Sequence, residues 1–213
     1  MKIKKLIVGQ LESNCYIVSD DNNEALIIDS GDDADYIQRT IADEELKPVK
    51  IIATHGHFDH MLAVTELKLA YNVPFLMSKD DEFLLSRMQS SVEYFTGAND
   101  IAPTPKIDSY LTGPNPVNVG NRRFKVIKTP GHTLGSVSLY CKGEKVLFVG
   151  DLIFAGGGIG RYDFDYCSKG NLIKSIKTIL KLPDDVAVYP GHGESTTIGD
   201  EKSSLLRIIS EIG

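Results

Sequence analysis

Apolar and polar positions divide the chain into short, legible runs. KKLIVG, NCYIVS and EALIIDSG each predict a strand, and DADYIQRTIADEEL after them carries apolar residues at helical spacing. VKIIATH reads as a buried strand ending at His55. HMLAVTELKLAYN then returns to helical spacing, so THGHFDH, residues 54–60, falls in a strand-to-helix turn. Residues 79–96 predict a further helix. Residues 97–116, rich in Pro, Gly, Asn and Asp, predict a long loop or lid with little regular structure. Strands resume with RRFKVIKTPGH, GSVSLYCKG and KVLFVGD, followed by helix NLIKSIKTILKL, strand VAVYPGH and a closing helix over EKSSLLRIIS. Two segments echo each other. NCYIVSDDNNEALIIDSG and VSLYCKGEKVLFVGD are both apolar strand, polar turn, apolar strand and an acid near a glycine, which points to two related half-folds. This order predicts a mixed α/β sandwich in which two sheets pack together and helices cover the outer faces.

Length and composition narrow the class. At 213 residues the chain is expected to form a single domain over residues 1–213, large enough to bury a substantial core. No apolar run approaches the roughly 20 residues of a membrane span, and the N-terminus lacks the apolar core of a signal peptide, so a cytoplasmic protein with no membrane partner is expected. A net charge of -6 leaves no broad cationic field for DNA or RNA phosphates. Cys15, Cys141 and Cys167 are odd in number and far apart, and read as buried small apolar residues rather than a disulfide or metal framework.

The histidines change the picture. Three of the five, His55, His57 and His60, share one turn with Asp59, while His132 and His192 each follow a glycine in TPGHTLG and YPGHG. Three imidazoles and a carboxylate crowded into one turn would repel or desolvate one another unless a cation held them. His55 and His57, two apart in an extended stretch, face the same side and can hold one metal, whereas Asp59 and His60 lie past the turn and can face a second. Asp151, after a predicted strand, is the natural carboxylate bridge. All these residues fall at or just past strand ends, which share one edge in a layered α/β fold. Asp29, in IIDSG, reads either as a group orienting a ligand histidine or as a turn residue.

Taken in order, SNCYIV, IIDSG, THGHFDH, TPGHTLGS, FVGDLIF, GGIGRYD and YPGHG resemble the metallo-β-lactamase superfamily, and within it the glyoxalase II-like (hydroxyacylglutathione hydrolase-like) hydrolases. The resemblance implies a four-layer αββα sandwich with the metal site at one edge of the β-sandwich. It assigns His55, His57 and His132 to a first metal, Asp59, His60 and His192 to a second, and Asp151 to both. It further implies two divalent ions, zinc first with iron or manganese as alternatives, and a bridging hydroxide that attacks a thioester carbonyl. Asp59 would orient that hydroxide or relay its proton. Substrate-side expectations are Arg161, which either meets an anionic group or pairs with Asp163, and Tyr162, Phe164 and Tyr166 along the groove. The short tail after His192 is expected to be too small for the helical domain that binds glutathione in two-domain glyoxalase II, which leaves glutathione as part of the substrate open.

Other members of the resemblance compete. A persulfide dioxygenase retains the same motifs around a single iron, and a lactonase offers the same hydroxide another carbonyl. Zinc β-lactamases lack a bridging aspartate where Asp151 falls, flavodiiron proteins carry glutamate where His57 stands, and a nuclease conflicts with the acidic balance. Metals that serve only to hold the fold would fill closed coordination shells, whereas seven candidate ligands for two metals leave positions open. The expected partner is a small-molecule thioester or ester, and oligomeric state is open.

Overall fold

The structure, a computed structural model, describes residues 1–99 and 101–213. Its first half runs β1 (Lys2–Val8), β2 (Ser13–Ser19), β3 (Glu24–Ile28), α1 (Ala34–Asp43), β4 (Lys47–Ile52), α2 (Val64–Tyr71), β5 (Phe75–Met77), α3 (Glu82–Leu85), α4 (Met88–Thr96) and β6 (Ser109–Tyr110). The second half runs β7 (Val117–Val119), β8 (Arg122–Lys128), β9 (Val137–Cys141), β10 (Val146–Gly150), α5 (Lys169–Ile179), β11 (Ala187–Pro190), β12 (Thr196–Thr197) and α6 (Ile198–Ile212). Each half makes one six-stranded sheet, ordered β1-β2-β3-β4-β5-β6 and β12-β11-β10-β9-β8-β7.

Strand periodicity sorts the side chains into layers. Along β2 and β3, Cys15, Ile17, Ala25 and Ile27 face helices α1, α2 and α4, while Tyr16, Val18, Leu26 and Ile28 face the other sheet. The second sheet mirrors this: Val137, Leu139, Val146 and Phe148 point inward, whereas Tyr140, Leu147 and Val149 meet α5 and α6. Both faces of the central strands are buried, which is why their sequences read as continuous apolar runs. Helix stripes complete the outer layers: Ile37 and Ile41 on α1, Leu172, Ile176 and Ile179 on α5, and Leu205 and Ile209 on α6. The layers are helix, sheet, sheet, helix, as expected. The sequence echo corresponds to the hairpins β2–β3 and β9–β10, one central to each sheet.

Three expectations need correction. The helix over residues 79–96 is divided into a 3-10 turn, Lys79–Asp81, and helices α3 and α4. Tightening is local: Arg87 N–H donates to Leu84 three residues back, and Asp81 turns inward to hydrogen-bond other loops. Residues 97–116 are not wholly irregular, because β6 pairs in parallel with β5; Asp100 lies outside the described residues. Strands β5, β7 and β12 were not anticipated. Among the described residues, no helix is long and apolar enough to cross a membrane.

Candidate metal centre

Four loops meet at one edge of the sandwich. The β4 loop carries His55, His57, Asp59 and His60, the β8–β9 loop His132, the end of β10 Asp151, and the end of β11 His192. The two sheets are joined there by β2, whose Ser13 bridges to His192 and whose Asn14 N–H donates to the Gly191 carbonyl at 2.7 Å. The Asn14 side chain donates to the Pro190 and Gly193 carbonyls, and the Tyr16 hydroxyl donates to Pro190 O at 2.6 Å. These contacts explain polar Ser and Asn in an otherwise apolar strand.

Close approach at this edge demands glycine. A Cβ at Gly191 would collide with Asp151 Oδ1 and sit 2.8 Å from His60 Cε1. Gly150, at φ 53°, takes a left-handed turn that directs the chain into Asp151, and its missing side chain leaves room for Thr54.

The ring nitrogens are aimed by their outer contacts. Asp29 accepts from Thr54 N–H and from the Thr54 hydroxyl, both at 2.7 Å. With the hydroxyl hydrogen committed to Asp29, His55 Nδ1–H donates to Thr54 Oγ1 at 3.1 Å and Nε2 is left as a lone pair with no partner. His132 Nδ1–H donates to the Arg161 carbonyl at 2.8 Å, which turns its Nε2 to within 2.9 Å of His57 Nδ1. Tyr166 hydroxyl holds His57 Nε2 at 2.9 Å. His60 Nδ1 lies 3.4 Å from Asp29, and its Nε2 lies 3.3 Å from Asp59 and 3.6 Å from Asp151. His192 Nε2 approaches Asp59 Oδ2 at 3.3 Å and Asp151 Oδ2 at 3.7 Å; the Ser13 hydroxyl donates to the same Asp59 oxygen at 2.8 Å.

Two donor groups result. His55, His57 and His132 gather potential ligand atoms within 4.8 Å of one another, and so do Asp59, His60 and His192. Asp151 stands between them, with one carboxylate oxygen toward His60 and the other toward His132 and His192. Asp29 with His55 and His60 forms a third such group. Both Asp29 oxygens already accept from Thr54, which suits it to aiming His60 rather than to coordination.

Protonation divides the donors. Burial, and then the neighbouring His60 ring, pushes the His55 imidazole well down; burial and His132 lower His57 to about 3, so both offer lone pairs. For His60, burial acts the opposite way and is the largest single influence, yet Asp59 and Asp151 outweigh it and raise the ring well above its ordinary value. Asp59 is held well down because His60 and His192 together overcome its burial. Buried His55 Nε2, His60 Nδ1 and Nε2, and Asp151 Oδ1 have no hydrogen-bond partner. A cation binding here displaces the proton that His60 holds, and unpartnered ring nitrogens and carboxylate oxygens facing each other are the donors that divalent cations take.

Asp81 was missed by the sequence reading. Its carboxylate is fully buried and accepts from Gly56 N–H at 2.9 Å, Thr133 Oγ1 at 2.7 Å and Gly135 N–H at 2.6 Å, so it ties the His55–His57 loop to the His132 loop. A cavity of about 410 Å³ opens onto the donor groups, walled by Leu11, Phe58, Leu84, Met88, Phe95 and Phe164. Tyr166 and Arg161 also line it. Tyr162 does not, contrary to expectation; its side chain is exposed, and the carbonyl of Arg161 rather than the tyrosine reaches the site.

Comparison with known proteins agrees with this geometry. Residues 8–192 match the model of the metallo-beta-lactamase superfamily. Hydroxyacylglutathione hydrolase GloC of Haemophilus influenzae is 34% identical over 212 residues, 96% of each chain. Among solved structures, the BLEG-1 B3 metallo-beta-lactamase superposes with a TM-score of 0.88 at 35% identity, covering 95% of this chain and 97% of that one. A protein crystallised in a di-iron-bound form superposes at 0.85 with 31% identity, covering 94% and 98%. A match across nearly the whole chain, with its sandwich and converging histidines, shows that the chain belongs to the metallo-beta-lactamase superfamily.

Proposed function

We propose that the chain is a binuclear metal-dependent hydrolase that cleaves a thioester to a carboxylic acid and a thiol. His55, His57 and His132 would hold one divalent cation, Asp59, His60 and His192 a second, and Asp151 would serve both. The observation that carries this reading is the pair of converging donor groups with unpartnered atoms turned inward. Bound zinc, iron or manganese supplies Lewis acidity that polarises a carbonyl and acidifies water.

The chain's own residues do the rest. Asp59 Oδ2 collects the Ser13 hydroxyl and the Nε2 atoms of His60 and His192, so it is fixed to orient an attacking water or pass its proton on, and its lowered carboxyl does not keep that proton. Phe58, Leu84, Met88 and Phe164 wall the open cavity with apolar surface, which lowers the polarity beside the donor groups and strengthens the electrostatics there. Tyr166, whose hydroxyl is pushed up to about 12 by burial, stays protonated and holds His57. The relation to a hydroxyacylglutathione hydrolase supports a thioester. A β-lactam is the second reading, favoured by the likeness to a B3 metallo-beta-lactamase and opposed by Asp151, which stands between the two donor groups where zinc β-lactamases lack a bridging aspartate.

Metal content by mass spectrometry, on protein purified without added metal or chelator, tests the proposal together with a panel of thioesters, lactones and a β-lactam. About two ions per chain and chelator-sensitive thioester cleavage are expected. A single iron per chain with oxygen uptake on a persulfide would replace hydrolysis with mononuclear iron oxidation. Turnover of the β-lactam alone would move the second reading to first place.

A further inference from the structure

Two guanidinium groups line the cavity, and only one is taken. Arg161 gives Nε and Nη2 to Asp163 at 2.7 and 2.8 Å while its face lies 4.1 Å from the Phe164 ring, so it is neutralised where it stands. Arg87 is different. It is exposed at the rim of the cavity, its guanidinium lies over the rings of Phe83, at 5.3 Å, and Tyr166, at 5.8 Å, and no carboxylate among the described residues pairs with it, so its free donors face solvent at the cavity mouth. Stacking occupies the faces of a guanidinium and leaves the N–H donors along its edge. None of the hydrogen bonds among the described residues uses those donors.

Position makes this cation informative. Arg87 is the residue preceding α4, where the helix dipole is positive, so a cation there is locally unfavourable and an anion beside it is favoured by both charges. Ser91, one turn along α4 from Arg87, lines the same cavity, and no side-chain hydrogen bond among the described residues uses its hydroxyl. Tyr166 links the group to the reacting centre, since the ring beneath Arg87 bonds His57 through its hydroxyl. Leu84, Met88 and Phe95 provide apolar wall beside it.

We propose that Arg87 is the anion-recognising residue of the substrate cavity, and that the substrates are thioesters bearing a free carboxylate beyond the scissile carbonyl. This rests on the hydrolase reading. The chain has 29 acidic against 23 basic residues, so its overall field repels an anionic substrate and recognition must come from a local cation. The planar edge of Arg87 matches a carboxylate in two-point geometry, with the Ser91 hydroxyl as a further donor. The carboxylate is held at the mouth while the apolar wall covers the connecting chain.

The test uses matched pairs on the metal-loaded protein. S-ethyl monothiosuccinate and S-acetyl thioglycolate, which place the carboxylate on the acyl and thiol halves respectively, are each compared with the corresponding carboxamide for kcat/KM. Binding of the uncleavable (ethylthio)acetate and (ethylthio)propionate, against their amides, is read by calorimetry. Wild type should favour the carboxylate roughly tenfold or more in at least one hydrolysed pair and one binding pair. Arg87→Gln should bring those ratios toward one, and Arg87→Lys should retain part of the preference. Ratios are read because a variant that is merely less well folded lowers both members of a pair alike. Equal preference in wild type and Arg87→Gln, or no preference in wild type, overturns the assignment even if thioesters are cleaved. Absence of any cleavage with the binding ratios behaving as described removes the thioesterase reading and leaves Arg87 as the anion site.

Discussion

At Gly191 one added carbon would displace two proposed metal donors, because its Cβ would fall on Asp151 Oδ1 and against His60. Gly191→Ala is therefore expected to lower activity at least about tenfold and to reduce metal content, with the far-UV spectrum unchanged. Full metal occupancy at wild-type rate would show that the loop yields without moving Asp151. The donors themselves were legible at this scale, since imidazoles and carboxylates seldom cluster at strand ends without chemistry to perform. Of the residues that aim them, Asp29 was legible and most others were not. Asp81 stands in KDDEF, where an acid reads as a solvated helix start, yet the fold turns it inward to three donors from loops distant in sequence. Thr54, Ser13 and Asn14 were hidden similarly, and Tyr166, expected along the groove, gave no sign of its bond to His57: each acts through a neighbour brought by the fold. The Arg161–Asp163 pair was one of two expected roles for that arginine and is the one found, whereas nothing in the sequence marked Arg87.

Among elements, the long strands and amphipathic helices were readable because burial on both faces, or on one stripe, prints a period into the sequence. Two- and three-residue strands such as β6 and β7 are too short to carry a period, and their pairing is fixed by the sheet they join. Asp108 shows how the segment after α4 is tied down. Its carboxylate accepts from the Phe75 N–H of β5 at 2.7 Å and pairs with Lys68 of α2. Burial would raise this carboxyl and is the largest influence, but Lys68 and the Phe75 amide outweigh it, so it is lowered in the folded state. A depressed folded-state value means that its stabilising contribution is present above the ordinary aspartate range and is lost as pH falls through the folded-state value. Asp108→Asn should therefore be less stable than wild type at neutral pH, and the gap should close below about pH 4. Denaturant titrations at several pH values would measure it, and a gap constant from neutral to acid pH would refute the role. High salt should narrow the gap as well, because the pair is partly solvated.

Across the whole molecule, the cores and the centre make separable contributions. Apolar clusters on the outer face of each sheet and between the sheets hold the sandwich, while the donor groups join loops from both halves at one edge. Chelation is thus expected to lower Tm without unfolding the chain. With free metal at a hundredfold over its Kd, binding adds about 2.7 kcal/mol. For a protein of this size that corresponds to a fall on the order of 5–10 °C after chelation. Thermal melts with metal content verified would check it, and an unchanged Tm in fully stripped protein would mean that the donors stabilise nothing. The bridge from Ser13 to His192 carries this into biosynthesis. The His55–His60 turn leaves the ribosome well before Asp151 and His192 are made, and the closing contacts join strands almost at opposite ends of the sequence, which form late. An ion captured by the early turn alone would remain exchangeable. The full donor set then exists only once the second sheet has docked, so the supply of metal around the folded chain, as well as the intrinsic preference of the histidines, would decide which ions the enzyme carries.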